Sequence, residues 1–345
     1  MFITSFIYFN IGVCILLIIF EVSWNLFIKV HNKNIEKYTI RYKDEIQIQL
    51  NYIKENNKTN DMYFKGLEKE LKSVNKLKSF ENAYNEFSCK NYEEVNIYTE
   101  KLLELFENLS LFYAKRKNNI QKAYIAHLIG KYFGSIKDKE KCAVLIEVLY
   151  KFMDSKYIYC RINAMEAIFL IGTVKNIIRV MFIINKNKYT YNQEMIVQWL
   201  KKARVNKKEL AQELFKGFEK YNKNIQISII KFLSDFPYIG EGKILEKLKD
   251  ENTLIDVKCE IMRYFQKNKN NEAKNFLMNK LNKEVIIAND LNVKAIGTLG
   301  YYEEDEVIQL LTKLKEYPDS IIKESAYKSL EKRYSIHKDK LLELL

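Results

Sequence analysis

One helical pattern recurs along this chain, starting at Ile120, Cys160, Asn192, Ile225, Val257, Leu291 and Ile322, at intervals of 40, 32, 33, 32, 34 and 31 residues. A period of this size confines the fold to an array of short supersecondary units. Numbered from its first residue, each copy has an apolar side chain or tyrosine at the fifth position: Tyr124, Ala164, Ile196, Ile229, Ile261, Ala295 and Ala326. The ninth position is Leu128, Ile168, Leu200, Leu233, Phe265, Leu299 and Leu330. Residues four apart share a helix face, so the two columns predict one buried stripe per copy. Between copies lie further amphipathic stretches, such as Lys243 to Leu248, Glu272 to Leu281 and Glu306 to Leu314. Two antiparallel helices per ~33 residues cannot bury their stripes alone, whereas stacked pairs can. With 10 glycines and 2 prolines in 345 residues, turn chemistry is too scarce for a many-stranded fold. The fold class expected is all-α.

The clearest copy reads CRINAMEAIFLIG from Cys160 to Gly172, and IQKAYIAHLIG from Ile120, VKCEIMRYF from Val257, LNVKAIGTLG from Leu291 and IKESAYKSL from Ile322 vary on it. A hydrophobe, a basic or polar residue, small residues, then Ala or Leu and often Gly resembles the HEAT-like (ARM-type) helical repeats of bacteria. The Asn192 copy departs from that pattern, with Met195, Ile196 and Trp199 at its small positions. The resemblance covers roughly residues 90 to 345. It implies an α-solenoid acting as a scaffold or protein-binding surface. For a membrane-anchored version it implies an accessory subunit of larger membrane machinery, glycosyltransferase systems of the envelope included.

Residues 2 to 20, FITSFIYFNIGVCILLIIF, carry no charge. At 1.5 Å per residue they span about 28 Å, close to the hydrocarbon thickness of a bilayer. The run is long for a signal-peptide core, and Glu21, Val22, Ser23 and Trp24 follow where small cleavage-site residues would stand, so an uncleaved anchor is expected. Lys29, Lys33, Lys37 and Arg41 follow the run and no basic residue precedes it, which places the amino terminus outside and the rest in the cytoplasm. Asn10, Cys14 and Glu21 fall on one helical face, a polar stripe that would seek a partner helix within the membrane.

Beyond the anchor (residues 1–30), a helical stalk or linker is expected over 31–90 and the repeat array over 91–345. The spacing Ile35, Tyr38, Tyr42, Ile46, Leu50, Ile53 continues a helix out of the membrane as far as Asn56. Asp61 is a candidate N-cap for a second helix with its stripe at Phe64, Leu67, Leu71 and Val74. A third helix runs from Tyr92 to Ala114.

The net charge of +13 raises the question of nucleic acid, but 50 of the 57 basic residues are lysine, not the arginine whose forked donors suit bases and phosphates. A nucleic-acid-binding solenoid is therefore the third choice. Five cysteines (Cys14, Cys89, Cys142, Cys160, Cys259) show no metal-binding or disulfide spacing, and no cofactor is indicated. His31, His127 and His337 lie far apart, and His127 at an eighth position is expected to be a buried or half-buried structural residue. No phosphate-binding glycine loop, nucleophile elbow or other catalytic constellation is present in the sequence. Alkylbase DNA glycosylases and bilin lyases, two enzyme classes built on helical repeats, have no matching arrangement here.

The third, seventh and tenth positions form a second face of each copy. In later copies this face is polar (Glu194, Gln198, Lys201; Cys259, Arg263, Gln266; Glu324, Lys328, Glu331), whereas Lys122, Ala126, Ile129 and Ile162, Glu166, Phe169 in the first two are more apolar. These six residues are the candidate partner-binding site, provided that helices from residues 61 to 115 do not cover it. The function expected is a membrane-anchored cytosolic scaffold or accessory subunit whose partner is a protein, itself integral to the membrane. The alternative is an anchored enzyme or regulator of envelope polysaccharide synthesis. The flanking charges make one outcome measurable: a thiol introduced by Lys58→Cys is expected to stay unlabelled by a membrane-impermeant reagent in intact cells and to label after lysis.

Overall fold

The computed structural model describes residues 2–88, 90, 92–186, 190–236, 239–282 and 289–343, with side-chain surroundings given between residues 12 and 332. Among the described residues there are 17 α-helices and no strand. The chain forms two compact units, Met1–Ile171 and Gly172–Leu345.

The first unit holds α1 (Phe2–Asn56), α2 (Asp61–Leu71), α3 (Val74–Ser88), α4 (Glu93–Ala114), α5 (Asn119–Phe133), α6 (Ala143–Met153) and α7 (Ile158–Ile171). Helix α1 has 55 residues and contains a stretch, beginning by Gly12, that is long and apolar enough to cross a membrane and is not buried in the protein. From Ile35 the same helix turns a stripe inward, burying Ile35, Tyr42, Ile46, Leu50 and Ile53. Residues 31–90 are thus not extended chain: α1 packs on α3 and α4, and α2 packs on α3 and α4. The second helix divides at Lys72-Ser73, where the sequence pattern ran on to Val74, and Asn60, not Asp61, is its cap, accepting from the backbone NH of Met62 and Tyr63. Helix α3 has no counterpart among the sequence expectations, yet it buries Leu77, Phe80, Ala83, Tyr84 and Phe87.

Directions in this unit follow from the contacts. Thr39 donates to the Ser79 carbonyl and Lys43 pairs with Glu86, so α1 and α3 run parallel. Glu81 meets Tyr124 and Tyr84 meets Tyr132, which sets α5 parallel to α3. Asn163 Nδ2 donates to the Ala123 carbonyl at 2.9 Å, with Gly130 beside Ala167 further along, so α7 is parallel to α5. A Cβ at Gly130 would stand 3.0 Å from Ala167 Cα. Only glycine lets the two backbones come this close.

The core between α1 and α5 is a chain of aromatic rings: Tyr42 on Phe80, Phe80 on Tyr84, Tyr84 on Tyr98 and Tyr132, and Phe106 on Phe133. Buried tyrosines need partners for their hydroxyls. Tyr63 and Tyr98 bond each other at 3.0 Å, Tyr84 meets Thr99 at 2.6 Å and Tyr113 donates to the Leu71 carbonyl at 3.1 Å. Burial pushes the Tyr84 phenol up to about 12.

The second unit alternates α8 (Val174–Lys186), α9 (Gln193–Lys202), α10 (Lys207–Lys216), α11 (Lys223–Leu233), α12 (Glu241–Lys249), α13 (Ile255–Lys267), α14 (Asn271–Leu281), α15 (Asp290–Leu299), α16 (Asp305–Lys315) and α17 (Ser320–Glu343). Helices α9, α11, α13, α15 and α17 each pack on the next, while α10, α12, α14 and α16 each fold back on the helix that follows. All seven sequence copies fall on helices, namely α5, α7 and these five. The fifth-position residues from Ala164 to Ala326 and the ninth-position residues from Leu128 to Leu299 are buried; Tyr124 and Leu330 are half-buried. Asparagine supplies the helix starts: Asn118, Asn192, Asn206, Asn222, Asn270 and Asn289 each accept from a backbone NH in the first turn that follows. At Gly300 an added Cβ would lie 2.9 Å from the Ser329 Cβ, so α15 and α17 approach as closely as α5 and α7.

Leu233, at 0% exposure, tests this packing. Leu233→Ala should lower stability by about 2–5 kcal/mol, measured by denaturant unfolding of the detergent-solubilised chain.

Candidate protein-interaction site

Helices α5 and α7 bring all six expected partner-binding residues to one region and divide them by burial. Ala126, Ile129 and Phe169 are each 0% exposed, so the condition set for an open site, that no helix covers this face, is not met at these three residues. The physical reason for α5 is that α3 and α4 both pack against it, filling the face that sequence left open. Lys122, Ile162 and Glu166 are half-buried and remain at the surface.

What the surface offers there is a mostly apolar cleft of about 210 Å³ whose lining includes Ala126, His127, Lys131, Asn163, Glu166 and Leu170. His127 is exposed, contrary to the buried or half-buried role expected of it. Its column neighbours Ala167, Trp199, Phe232 and Tyr264 are buried, but in the first copy the fold places position eight on the cleft rim. Beside the cleft, Glu81 of α3 accepts from the Tyr124 hydroxyl and from Lys131 Nζ, the latter at 2.8 Å. Burial works to raise the Glu81 carboxyl, but the hydrogen bonds from Lys131 and Tyr124 outweigh it and hold its pKa below the ordinary carboxylate value. Glu81 therefore stays ionised and fixes Lys131 at the edge. No spacing in the sequence pointed to Glu81, whose partners stand 43 and 50 residues away.

His127, Lys131 and Glu166 give the cleft a donor, a cation and a carboxylate within one helix pair. Elsewhere, burial pushes Lys207 down to about 8. Its ammonium donates to the carbonyls of Leu200 and Lys201, both at 2.8 Å, and of Ala203. Lys207 thus closes the end of α9 and has a structural explanation.

On the polar column of the second unit, Glu194, Gln198, Lys201, Arg263, Glu324, Lys328 and Glu331 are exposed, and Cys259 and Gln266 are half-buried. Charges there pair between successive helices. Asp235 receives Lys201 and Lys267, each at 2.5 Å, and Lys231 meets Glu194 at 2.5 Å. In the apolar stretch of α1, Cys14 and Glu21 are exposed and seven residues apart, on one face, while the Asn10 side chain lies outside the described residues.

No protein-family model matches the chain, and no curated protein matches it.

Because Phe169 is enclosed, Phe169→Asp would bury an unpaired carboxylate, at a cost of several kcal/mol. Circular dichroism should show a large fall in melting temperature. Gln198→Asp, at an exposed position, should leave melting nearly unchanged.

Proposed function

We propose that this chain is a membrane-anchored, cytosol-facing solenoid of HEAT-like helix pairs that binds another protein of the same membrane. The observation that carries the reading is α1, one unbroken helix. Its first part is apolar and uncovered by protein. Its second part is the flank of a helix stack. A soluble protein would expose that apolar stretch to water at a large cost in free energy, about 25 cal/mol per Å². A bilayer removes the cost. Lysines after the stretch argue for a cytosolic body.

The succession of parallel inner helices and antiparallel partners within each unit supports the solenoid, an architecture suited to presenting an extended binding surface. Two features supply places for a partner. One is the His127–Lys131–Glu166 cleft. The other is the Cys14–Glu21 face of the apolar stretch, where a carboxyl in lipid would be stabilised by a polar group from a neighbouring helix.

The test is purification of the full chain in mild detergent, beside His127→Glu, Glu166→Lys and Glu21→Leu variants. A stoichiometric membrane protein should co-elute with the unsubstituted chain and be lost from at least one variant whose helicity and melting are unchanged. Elution alone with catalytic turnover would overturn the scaffold reading in favour of an enzyme. Co-eluting nucleic acid whose affinity falls steeply with salt would overturn it in favour of a nucleic-acid-binding solenoid.

A further inference from the structure

Within the first unit, one end of the helix stack lies close to where the apolar stretch of α1 finishes. The near-continuous run of exposed apolar residues on α1 ends at Val30, with only Ile40 and Ile48 exposed further on, and the buried stripe begins at Ile35. Ile35 lies five positions beyond Val30, about 7.5 Å along the helix. The interfacial layer of a bilayer is of the same depth, about 5–8 Å on each side.

The contacts fix which turns lie at this level. Lys76, just after the α2–α3 turn, sits over the Tyr38 ring at 5.3 Å. The end of α4 reaches the same turn, since Tyr113 donates to the carbonyls of Leu71 and Lys72. Helix α5 starts after the next few residues, and α7, parallel to α5, starts beside it. Three connections therefore share one end of the stack: residues 72–73, 115–118 and 154–157.

This end combines apolar projection with positive charge. Ile120 is 65% exposed, Ile158 49% and Tyr159 60%, all in the first turns of α5 and α7. Lys72 and Arg116 both lie over the Phe112 ring, at 5.5 and 4.4 Å, with Lys115, Lys117 and Lys156 in the same connections. The carboxylates near this level include Glu36 of α1, Glu68, Glu70 and Asp154. Glu68 pairs with Lys72 at 3.4 Å, and Glu70 is held by Arg41 and Lys76. The connection before α7 is rigid as well, because buried Arg161 donates to the carbonyls of Ser155 and Lys156 at 2.8 and 3.0 Å. Exposed aliphatic and aromatic side chains set among lysines suit the boundary of an anionic bilayer, whose surface potential attracts basic side chains. A helical aromatic series on α1, Phe20, Trp24, Phe27 and His31, with neighbouring centroids 6.0–6.2 Å apart, marks the same boundary.

We infer that the end of the first unit formed by the α2–α3, α4–α5 and α6–α7 connections docks on the anionic surface of the membrane that α1 enters, with Ile120, Ile158 and Tyr159 inserted at the headgroup level. The inference rests on the membrane-anchor reading. It makes the body a platform seated on the bilayer, with the far ends of α1 and α3 pointing away.

The test uses the full chain reconstituted in vesicles whose lipids carry bromine on the acyl chains close to the headgroup, a contact quencher of tryptophan. Trp24 in the unsubstituted chain reports the anchor, and buried Trp199 is the other native background. Tyr159→Trp adds a probe on the docking end. Met62→Trp, on a residue 84% exposed at the opposite end of the unit, adds a control. In vesicles containing phosphatidylglycerol, the emission added by Tyr159→Trp should be lost and that added by Met62→Trp should persist. Combining Tyr159→Trp with Lys115→Glu, Arg116→Glu and Lys117→Glu should restore the emission while Trp24 stays quenched. Quenching of Trp24 without quenching at position 159 would overturn the docked end and leave the anchor standing. Absence of quenching at Trp24 would overturn both. Equal quenching in pure phosphatidylcholine, or equal quenching at position 62, would overturn the charge-directed contact.

Discussion

One unbroken helix, apolar and uncovered in its first part and amphipathic in its second, is the constraint on which the rest of the first unit depends. Between Glu21 and Asn56 there is neither glycine nor proline, so α1 has no joint at which its apolar and amphipathic parts could turn independently. The stripe Ile35, Tyr42, Ile46, Leu50, Ile53 is buried against the stack. Whatever direction the apolar stretch takes is then imposed on α3, α5 and α7, which run parallel to it. A flexible linker would have uncoupled the two parts, and the continuous helix links the direction of the apolar stretch to the packing of Tyr42 on Phe80.

Packing between successive helix pairs is specified by size and by capping more than by charge. Gly130 against Ala167 and Gly300 against Ser329 set the closest approaches, and a methyl group at either would push on backbone or Cβ atoms. Asparagines, abundant throughout the chain, hold the starts of α2, α5, α9, α10, α11, α14 and α15. Each such cap contributes on the order of 1 kcal/mol relative to alanine. The Lys201–Asp235–Lys267 ladder and the Lys231–Glu194 pair join helices one repeat apart, but exposed pairs contribute only about 0–1 kcal/mol each. Their effect is on register, and it accounts for part of the lysine content without nucleic acid. Burial raises the Asp235 carboxyl, and the two lysines more than reverse this, so it is held below its ordinary value. That contribution is complete above the ordinary carboxylate range and fades as pH falls through the lowered value.

Helices and their buried stripes were legible because a period near 33 and a spacing of four leave a strong trace in residue type. Leu233 and Leu299 could be placed in the core from their columns alone. Helix α3 was missed although Leu77, Phe80, Tyr84 and Phe87 keep a helical spacing, because it belongs to no copy of the repeat; its role comes from Phe80 and Tyr84 meeting rings on α1, α4 and α5. The candidate site failed in part for the same reason. The sequence left open whether helices from residues 61 to 115 cover the face of α5 bearing Ala126 and Ile129, and α3 and α4 do; His127 was expected to be buried or half-buried. Column statistics cannot say which side of a repeat is covered when the covering helix belongs to no column. Exposed Tyr159 gave no periodic signal, and Ile120 stood only as the opening position of its copy, whose equivalents Cys160, Ile225, Val257 and Ile322 are buried; the significance of both depends on where the chain reverses relative to α1.

A seated platform also changes how strong the partner contact has to be. The cleft of about 210 Å³ beside His127 and Glu166 is small, too modest to hold a partner from dilute solution. Two proteins confined to one bilayer meet at a raised effective concentration, and a second contact between them becomes effectively intramolecular, with effective concentrations reaching the millimolar range for short connections. If Cys14 and Glu21 meet a partner helix inside the membrane, the cleft then has to add only specificity. Because α5 and α7 run parallel to α1, the stack in this unit advances sideways from the anchor. The cleft therefore stays at a set height along α1, and a partner whose cytosolic part stands at another height is excluded by geometry, without any repulsive contact.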